Sequence, residues 1–374
     1  MKIFKIKYLL FFPLLIIIKP SLAQKEQGIV WHNPAKQSFR VVHNQIWSGK
    51  DISSFYDRLP AKAEKNIRKE VWDLSKNSAG LKLIFNTNAK EIIVRYTTQS
   101  KKYAMSHFPA TGVSGLDLFS ENTDGSWAWA NGKFQFKDTI TYKYTNLSLG
   151  KLKNKNESSF HLYLPLYNSV EWLEIGVPAG STFQFIPVSN EKPVIVYGTS
   201  IAQGGCASRP GMAWTNILNR ELDSPVINLG FSGNGRLEKE LIDLIVEKDA
   251  KMFIIDCLPN IVNEPENIKS KMIYATNTIR AKYPNTPIVF ADNSAYLENR
   301  MDSVRTSSLI RANNISFNTF KELKAKGIKN LFYLTQKDIG LNMNDSVDGN
   351  HPTDIGMLKH AKVYKRLINK TVKH

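Results

Sequence analysis

The hydrophobic period changes once along this chain, between Pro187 and Pro193, and that change limits the possible folds more than any other feature. Before it, short apolar or alternating runs recur at Leu81 to Phe85, Glu91 to Tyr96, Leu116 to Phe119, Lys133 to Phe136, Ser159 to Leu164 and Val170 to Ile175. Asn, Gly, Asp and Pro turns separate them, as in an antiparallel sandwich or jelly roll. One helical interruption is expected at Ala61 to Val71, where charged residues alternate with Ala and Ile.

After the change, strand-like runs at Val194 to Tyr197, Val226 to Leu229, Met252 to Asp256, Ile288 to Ala291 and Leu331 to Leu334 alternate with helix-period segments. The helices are expected at about Met212 to Leu222, Leu237 to Glu247, Glu266 to Tyr283, Ser303 to Lys326 and Asp354 to Lys370. Five strands interleaved with five helices predict an α/β fold, a doubly wound parallel five-stranded sheet with right-handed crossovers. The expected organisation is an all-β, jelly-roll-like sandwich over residues 24–188 and an α/β domain over residues 189–374. No low-complexity linker separates them, so the two are expected to pack together.

Residues 1–23 read as a cleaved signal peptide. Lys2, Lys5 and Lys7 precede the apolar run Tyr8 to Ile18, and Ser21-Leu22-Ala23 places small residues where a signal peptidase reads. The run is short for a bilayer span and is broken by Pro13. No lipid-attachment cysteine follows, and no later segment is apolar enough to span. A soluble mature chain, periplasmic or secreted, is expected.

The formal net charge is +17, and four of its lysines belong to the leader. The rest are scattered, with no basic helix and no basic stripe interleaved with aromatics, so a solvated surface is expected and a nucleic-acid partner is not. The oligomeric state is not legible. Cys206 and Cys257 both fall just beyond expected strand ends at one rim of the sheet, which leaves a disulfide or two buried thiols open in an oxidising compartment. Neither has a flanking His or Asp cluster, so no metal site is expected, and no cofactor is implied.

The chemistry gathers at the same rim. Ser200 stands in Gly198-Thr199-Ser200-Ile201-Ala202-Gln203-Gly204-Gly205, the turn that ends the first parallel strand, where open α/β sheets collect ligands. A Gly-x-Ser-x-Gly elbow would need glycine where Ala202 stands, which argues against the α/β-hydrolase fold. The loop Asn228 to Gly235 follows the second strand and has enough glycine to aim a backbone N–H at a developing oxyanion. Asn260 follows the third strand and would add a side-chain amide donor. In the loop before the last helix, His351 is the candidate general base and Asp348 its orienting acid. Asp354 is read as the cap of that helix. Each residue also has a plain structural reading as a cap or turn residue; their convergence at one rim favours the chemical one.

These motifs resemble the SGNH or GDSL-type hydrolases. Gly198-Thr199-Ser200 stands where that family's first block has Gly-Asp-Ser, Gly233 matches the second-block glycine, Asn260 the third-block asparagine, and Asp348 with His351 the closing Asp-x-x-His. All four come in the family's order. The resemblance implies Ser200 as nucleophile, the Ser200 N–H, Gly233 and Asn260 as oxyanion hole, and Asp348 and His351 completing the triad. Thr199 in place of Asp, and Asp256-Cys257-Leu258-Pro259-Asn260 in place of Gly-x-Asn-Asp, shift the match towards a bimodular subgroup in which a β-sandwich precedes the hydrolase. Arg58 to Ala63, Val71 to Ser75 and Met105 to Asp117 look like that subgroup's N-terminal domain.

By this resemblance the chain is expected to be a metal-independent ester hydrolase that removes small acyl groups, acetate foremost, from carbohydrate. The alternatives are a lipid esterase or an acyltransferase, or a non-catalytic carbohydrate-binding protein on the same scaffold. No amphipathic helix suits a lipase lid. Arg209, in the loop after Ser200, would pair with a substrate oxygen or stay a surface cation, and His107 would line the pocket if the sandwich leans over the rim. Trp127 and Trp129 would pack between domains or stack on a sugar. Glu264 and Asp292 are at most pocket lining.

Overall fold

The computed structural model describes residues 28–148, 158–222, 224–295 and 301–372. The expected signal peptide, residues 1–23, lies outside them. Among the described residues no helix is long and apolar enough to cross a membrane.

The N-terminal half builds two antiparallel sheets. One has the order Ile29–His32, Val170–Pro178, Ile92–Thr98, Ile140–Tyr144, Lys133–Gln135; the other has Phe183–Phe185, Lys82–Thr87, Ser158–Tyr163, Asp117–Glu121, Trp127–Ala130, with Val42–His43 on Lys82–Thr87. Alternation sets the faces: in Ile92–Thr98 the residues Ile92, Val94 and Tyr96 turn inward, while their neighbours are half-buried. Leu83, Phe85, Leu118, Phe160 and Leu162 meet them across the sandwich core.

The third sheet is parallel, in the order Val226–Gly230, Val194–Gly198, Met252–Asp256, Ile288–Ala291, Leu331–Leu334. Every residue of its first three strands in chain order is buried, because helices cover both faces, and this is why those strands read as continuous apolar runs. The second strand lies on one side of the first and the third on the other. That reversal is a topological switch point, and the crevice there opens beside the carboxyl end of Val194–Gly198.

The helix expected at Ala61 to Val71 is split. A 3-10 turn covers Ala61–Lys65, Arg68 is extended, and the α-helix runs Lys69–Ser75. The break has a tertiary cause. Arg68 reaches across to the parallel-sheet half, donating from Nε to Glu238 Oε1 (2.9 Å) and from Nη1 to Asn234 Oδ1 (2.8 Å).

The two halves share cores. Trp47, Leu59, Val71 and Trp72 pack with Ile195, Tyr197 and Phe231 on one face of the parallel sheet, and Phe108, Val113 and Leu166 pack with Val196, Ile201 and Trp214 on the other. Burying a large apolar side chain contributes about 1.5–3 kcal/mol. Parting the halves would expose both clusters.

Candidate active site

Ser200 opens the short helix Ser200–Gln203 directly after the strand Val194–Gly198, and Thr199 caps it by accepting from the Ile201 N–H. The serine is buried, 5% exposed. Its Oγ lies 2.8 Å from His351 Nε2, and His351 Nδ1 lies 2.7 Å from Asp348 Oδ2. The other Asp348 oxygen accepts the backbone N–H groups of Asn350 (2.9 Å) and His351 (2.8 Å), a side-chain turn that aims the carboxylate at the ring. Burial alone would raise the Asp348 pKa, but the backbone and ring bonds from His351 outweigh it and hold the group below the usual carboxylate range. An ionised Asp348 places the ring proton on Nδ1, leaving Nε2 to accept from the serine.

The cap of the last helix is Thr353, not Asp354 as expected. Asp354 is the first helical residue, and its carboxylate accepts from Ser208 N (2.9 Å) and Ser208 Oγ (2.5 Å). A helix N-terminus favours such a charge. The contact ties the loop after Ser200 to the helix after His351, which brings serine and imidazole together across 151 residues of chain.

The structure also brings Gly233 and Asn260 to this rim. Gly233 has φ +68, a left-handed conformation that favours glycine, and a Cβ there would meet nothing within 4 Å. A Cβ on Gly235 would fall 1.9 Å from Gly198 O, so only glycine lets the second loop approach the turn before Ser200. Asn260 ends the turn Leu258–Asn260, and with its amide oriented to suit its neighbours Oδ1 accepts from Asn234 N (3.0 Å) and Gly235 N (3.1 Å). Among the described residues neither the Ser200 nor the Gly233 backbone N–H meets a protein acceptor. These N–H groups, with the Asn260 amide, are donors able to serve an oxygen from outside.

Several residues were not expected at the site from the sequence. Gln203 holds the second loop, its Oε1 accepting the Ser232 N–H at 2.9 Å while Nε2 donates to Asn77 Oδ1 and Leu166 O, each 3.1 Å away. Its position three residues after Ser200 was the available hint, since that spacing shares a helix face. Among the described residues Arg58 is buried without a carboxylate partner, and it donates to Asn77 O, Leu74 O, Asn228 O and Gly230 O. Burial lowers its pKa to about 9. Tyr167 donates to Ser200 O at 3.3 Å.

The residues expected at the substrate divide. His107 is exposed and its ring centroid lies 5.9 Å from that of His351, so the sandwich does reach the rim. Arg209 is not a free cation. Its Nη1 pairs with the buried Asp117 at 2.5 Å and its guanidinium lies over the Trp129 ring at 4.5 Å. Asp117 also accepts from Gly211 N (2.9 Å) and Trp129 Nε1 (2.5 Å), so Arg209 fastens the two halves. Trp127 does the same, donating to Arg220 O at 2.9 Å. The disulfide left open between Cys206 and Cys257 is absent: both thiols are free and buried. Cys257 points to Tyr197 O at 3.5 Å, inside the core, whereas Cys206 faces His107 and His351. Glu264 pairs with Lys271 at 3.1 Å, and Asp292 accepts from Gln336 N at 2.9 Å. A cavity of about 630 Å³ between the halves lies at the other end of the parallel strands, lined by Val194, Pro225 and Lys251, away from Ser200.

Comparison with known proteins agrees with this architecture. The GDSL-like lipase/acylhydrolase family matches residues 191–369, and the N-terminus of the SGNH-hydrolase-type esterases matches residues 29–183. A Bacteroides ovatus protein classed as GDSL-like lipase superposes with a TM-score of 0.81 at 29% identity, covering 92% of this chain and 98% of that one. The salicylyl-acyltransferase of a tetracycline biosynthetic pathway gives 0.70 at 18% identity over 92% and 99%. A family two carbohydrate esterase from Cellvibrio japonicus gives 0.57 at 11% identity over 92% and 98%, a likeness of fold. No curated protein matches. Two matched segments in series and a neighbour superposing along nearly the whole length identify the chain as a member of the SGNH/GDSL-type hydrolases, in the form where a β-sandwich precedes the hydrolase fold.

Proposed function

We propose that this chain is an exported serine esterase that removes small acyl groups, acetate foremost, from carbohydrate. One observation carries the reading: the unbroken chain of contacts from Ser200 Oγ through His351 to Asp348, at 2.8 and 2.7 Å. In this reading His351 takes the serine proton as Ser200 attacks the ester carbonyl, and the imidazolium is stabilised by Asp348. The Ser200 and Gly233 N–H groups and the Asn260 amide hold the oxygen as it becomes anionic. His351 then protonates the leaving alcohol, and water releases the acyl group by the reverse sequence. The carbohydrate preference is supported by the fold likeness to a carbohydrate esterase and by the exposed His107 beside His351.

The likeness to an acyltransferase sustains a second reading, in which an acceptor alcohol takes the acyl group in place of water. Purified chain and Ser200→Ala, assayed on 4-nitrophenyl acetate and on acetylated xylan, pectin and mannan with and without acceptor alcohols, test both. Serine-dependent acetate release supports the esterase. A dominant transfer product favours the second reading, and no serine-dependent turnover defeats both.

A further inference from the structure

Three potential metal ligands from distant parts of the chain meet beside the candidate nucleophile. His107, Cys206 and His351 each offer a ligand atom, and these atoms lie within 4.8 Å of one another. His107 belongs to the sandwich half, Cys206 to the loop after Ser200, and His351 to the loop before the last helix. Cys206 holds φ +70, uncommon for a residue with a side chain, and its neighbour Gly205 has no room for a Cβ, which would fall 2.8 Å from Tyr167 Oη and 3.2 Å from His351 Cδ2. The loop is thus pressed against the histidine.

We infer that His107, Cys206 and His351 form an inhibitory site for a thiophilic divalent cation of the zinc class. One thiolate and two imidazoles are a donor set that suits zinc, with a water in the fourth position. A tetrahedral zinc with bonds of about 2.0–2.3 Å keeps its ligands roughly 3.3–3.7 Å apart, so the three groups need side-chain rotation only. His107 has that freedom: it is exposed, and among the described residues its one polar contact is Ser106 Oγ at 3.5 Å. His351 is already oriented as metal-ligating histidines are, its Nδ1 held by a carboxylate at 2.7 Å and its Nε2 presented outward. Asp348, bonded to His351 at 2.7 Å, adds a negative charge that favours a cation beside the cluster. Binding forms the Cys206 Sγ–metal bond, releases one proton to solvent, and replaces the Ser200 hydroxyl at His351 Nε2 by the metal. Ser200 then has no base.

The effect on turnover rests on the esterase reading above; the site itself does not. Cobalt(II) is the probe, because a thiolate–cobalt bond gives a near-ultraviolet charge-transfer band that needs no activity. The band is expected in the wild type and in Ser200→Ala, lost in Cys206→Ser, and weakened about tenfold or more in affinity in His107→Ala, an exposed position that leaves the core intact. Micromolar zinc should suppress ester hydrolysis by the wild type and release it on chelation. Measured against its own metal-free rate, Cys206→Ser should resist. A wild type without the cobalt band, or zinc inhibition equal in the wild type and both variants, overturns the inference. If the band appears but hydrolysis does not depend on Ser200, the esterase reading fails and the metal site stands.

Discussion

Gln203 Oε1 accepts the backbone N–H of Ser232 at 2.9 Å, so the helical turn that begins at Ser200 also carries the loop that presents Gly233. The proposed nucleophile and the proposed oxyanion donor are thereby positioned by one element. Misplacing a reacting group by about 1 Å costs on the order of 100-fold in rate. Gln203→Leu is expected to lower kcat by about 10- to 100-fold with a smaller change in KM, and steady-state kinetics on a soluble acetate ester will show it. The orphaned Ser232 N–H and Leu166 O should also cost about 1–3 kcal/mol of stability.

Asp348 organises the His351 loop through its own backbone bonds as well as through the ring. Asp348→Asn keeps the shape but presents an amide to Nδ1 and favours the wrong tautomer. A loss of about 10²- to 10⁴-fold in kcat is expected, at the lower end because the carboxylate is partly exposed. Ser200→Ala should lose more while its thermal unfolding stays close to wild type.

Arg209 and Asp117 separate a structural clasp from a substrate contact. Arg209→Met leaves a nearly buried carboxylate with, among the described residues, only Gly211 N and Trp129 Nε1 as donors. The expected outcome is a loss of about 1–3 kcal/mol in denaturant unfolding, with KM for acetylated substrates near wild type. A large rise in KM at unchanged stability would return Arg209 to the substrate site.

Asp256, at the end of the strand Met252–Asp256, is held at a pKa of about 7 by burial, with the nearby Tyr364 hydroxyl partly opposing it, against 3.8 ordinarily. The folded chain therefore keeps a proton that the unfolded chain releases between those values. Its contribution is fully present below about pH 4 and is lost as pH rises to about 7, after which it is flat. Asp256→Asn should remove this component. The difference in Tm between wild type and variant, scanned from acid to neutral pH, should change across that window and level off above it.

Much of this molecule was legible before any coordinates. The parallel strands showed as continuous apolar runs because both their faces are buried, and the sandwich strands showed alternation because each has one face against the core. The helix expected at Ala61 to Val71 misled because Arg68 gives up helical geometry to reach Asn234 and Glu238, more than 160 positions away in sequence. Asp354 looked like a cap because acids favour helix starts; that Thr353 caps and Asp354 grips Ser208 depends on where the earlier loop passes.

The sequence by itself determined two layers of β-structure followed by an alternating α/β sheet, and the order in which Ser200, Gly233, Asn260, Asp348 and His351 reach one rim. Periodicity and strand-end position are local properties, and local properties can be read along a chain. Only the tertiary structure decided that Arg209 is bound to Asp117, that Cys206 and Cys257 stay apart, that Arg58 is buried among four backbone carbonyls, and that His107 stands over His351. Each is a contact between the two halves or between distant loops, set by how packed faces meet in space, and no spacing of residues encodes that.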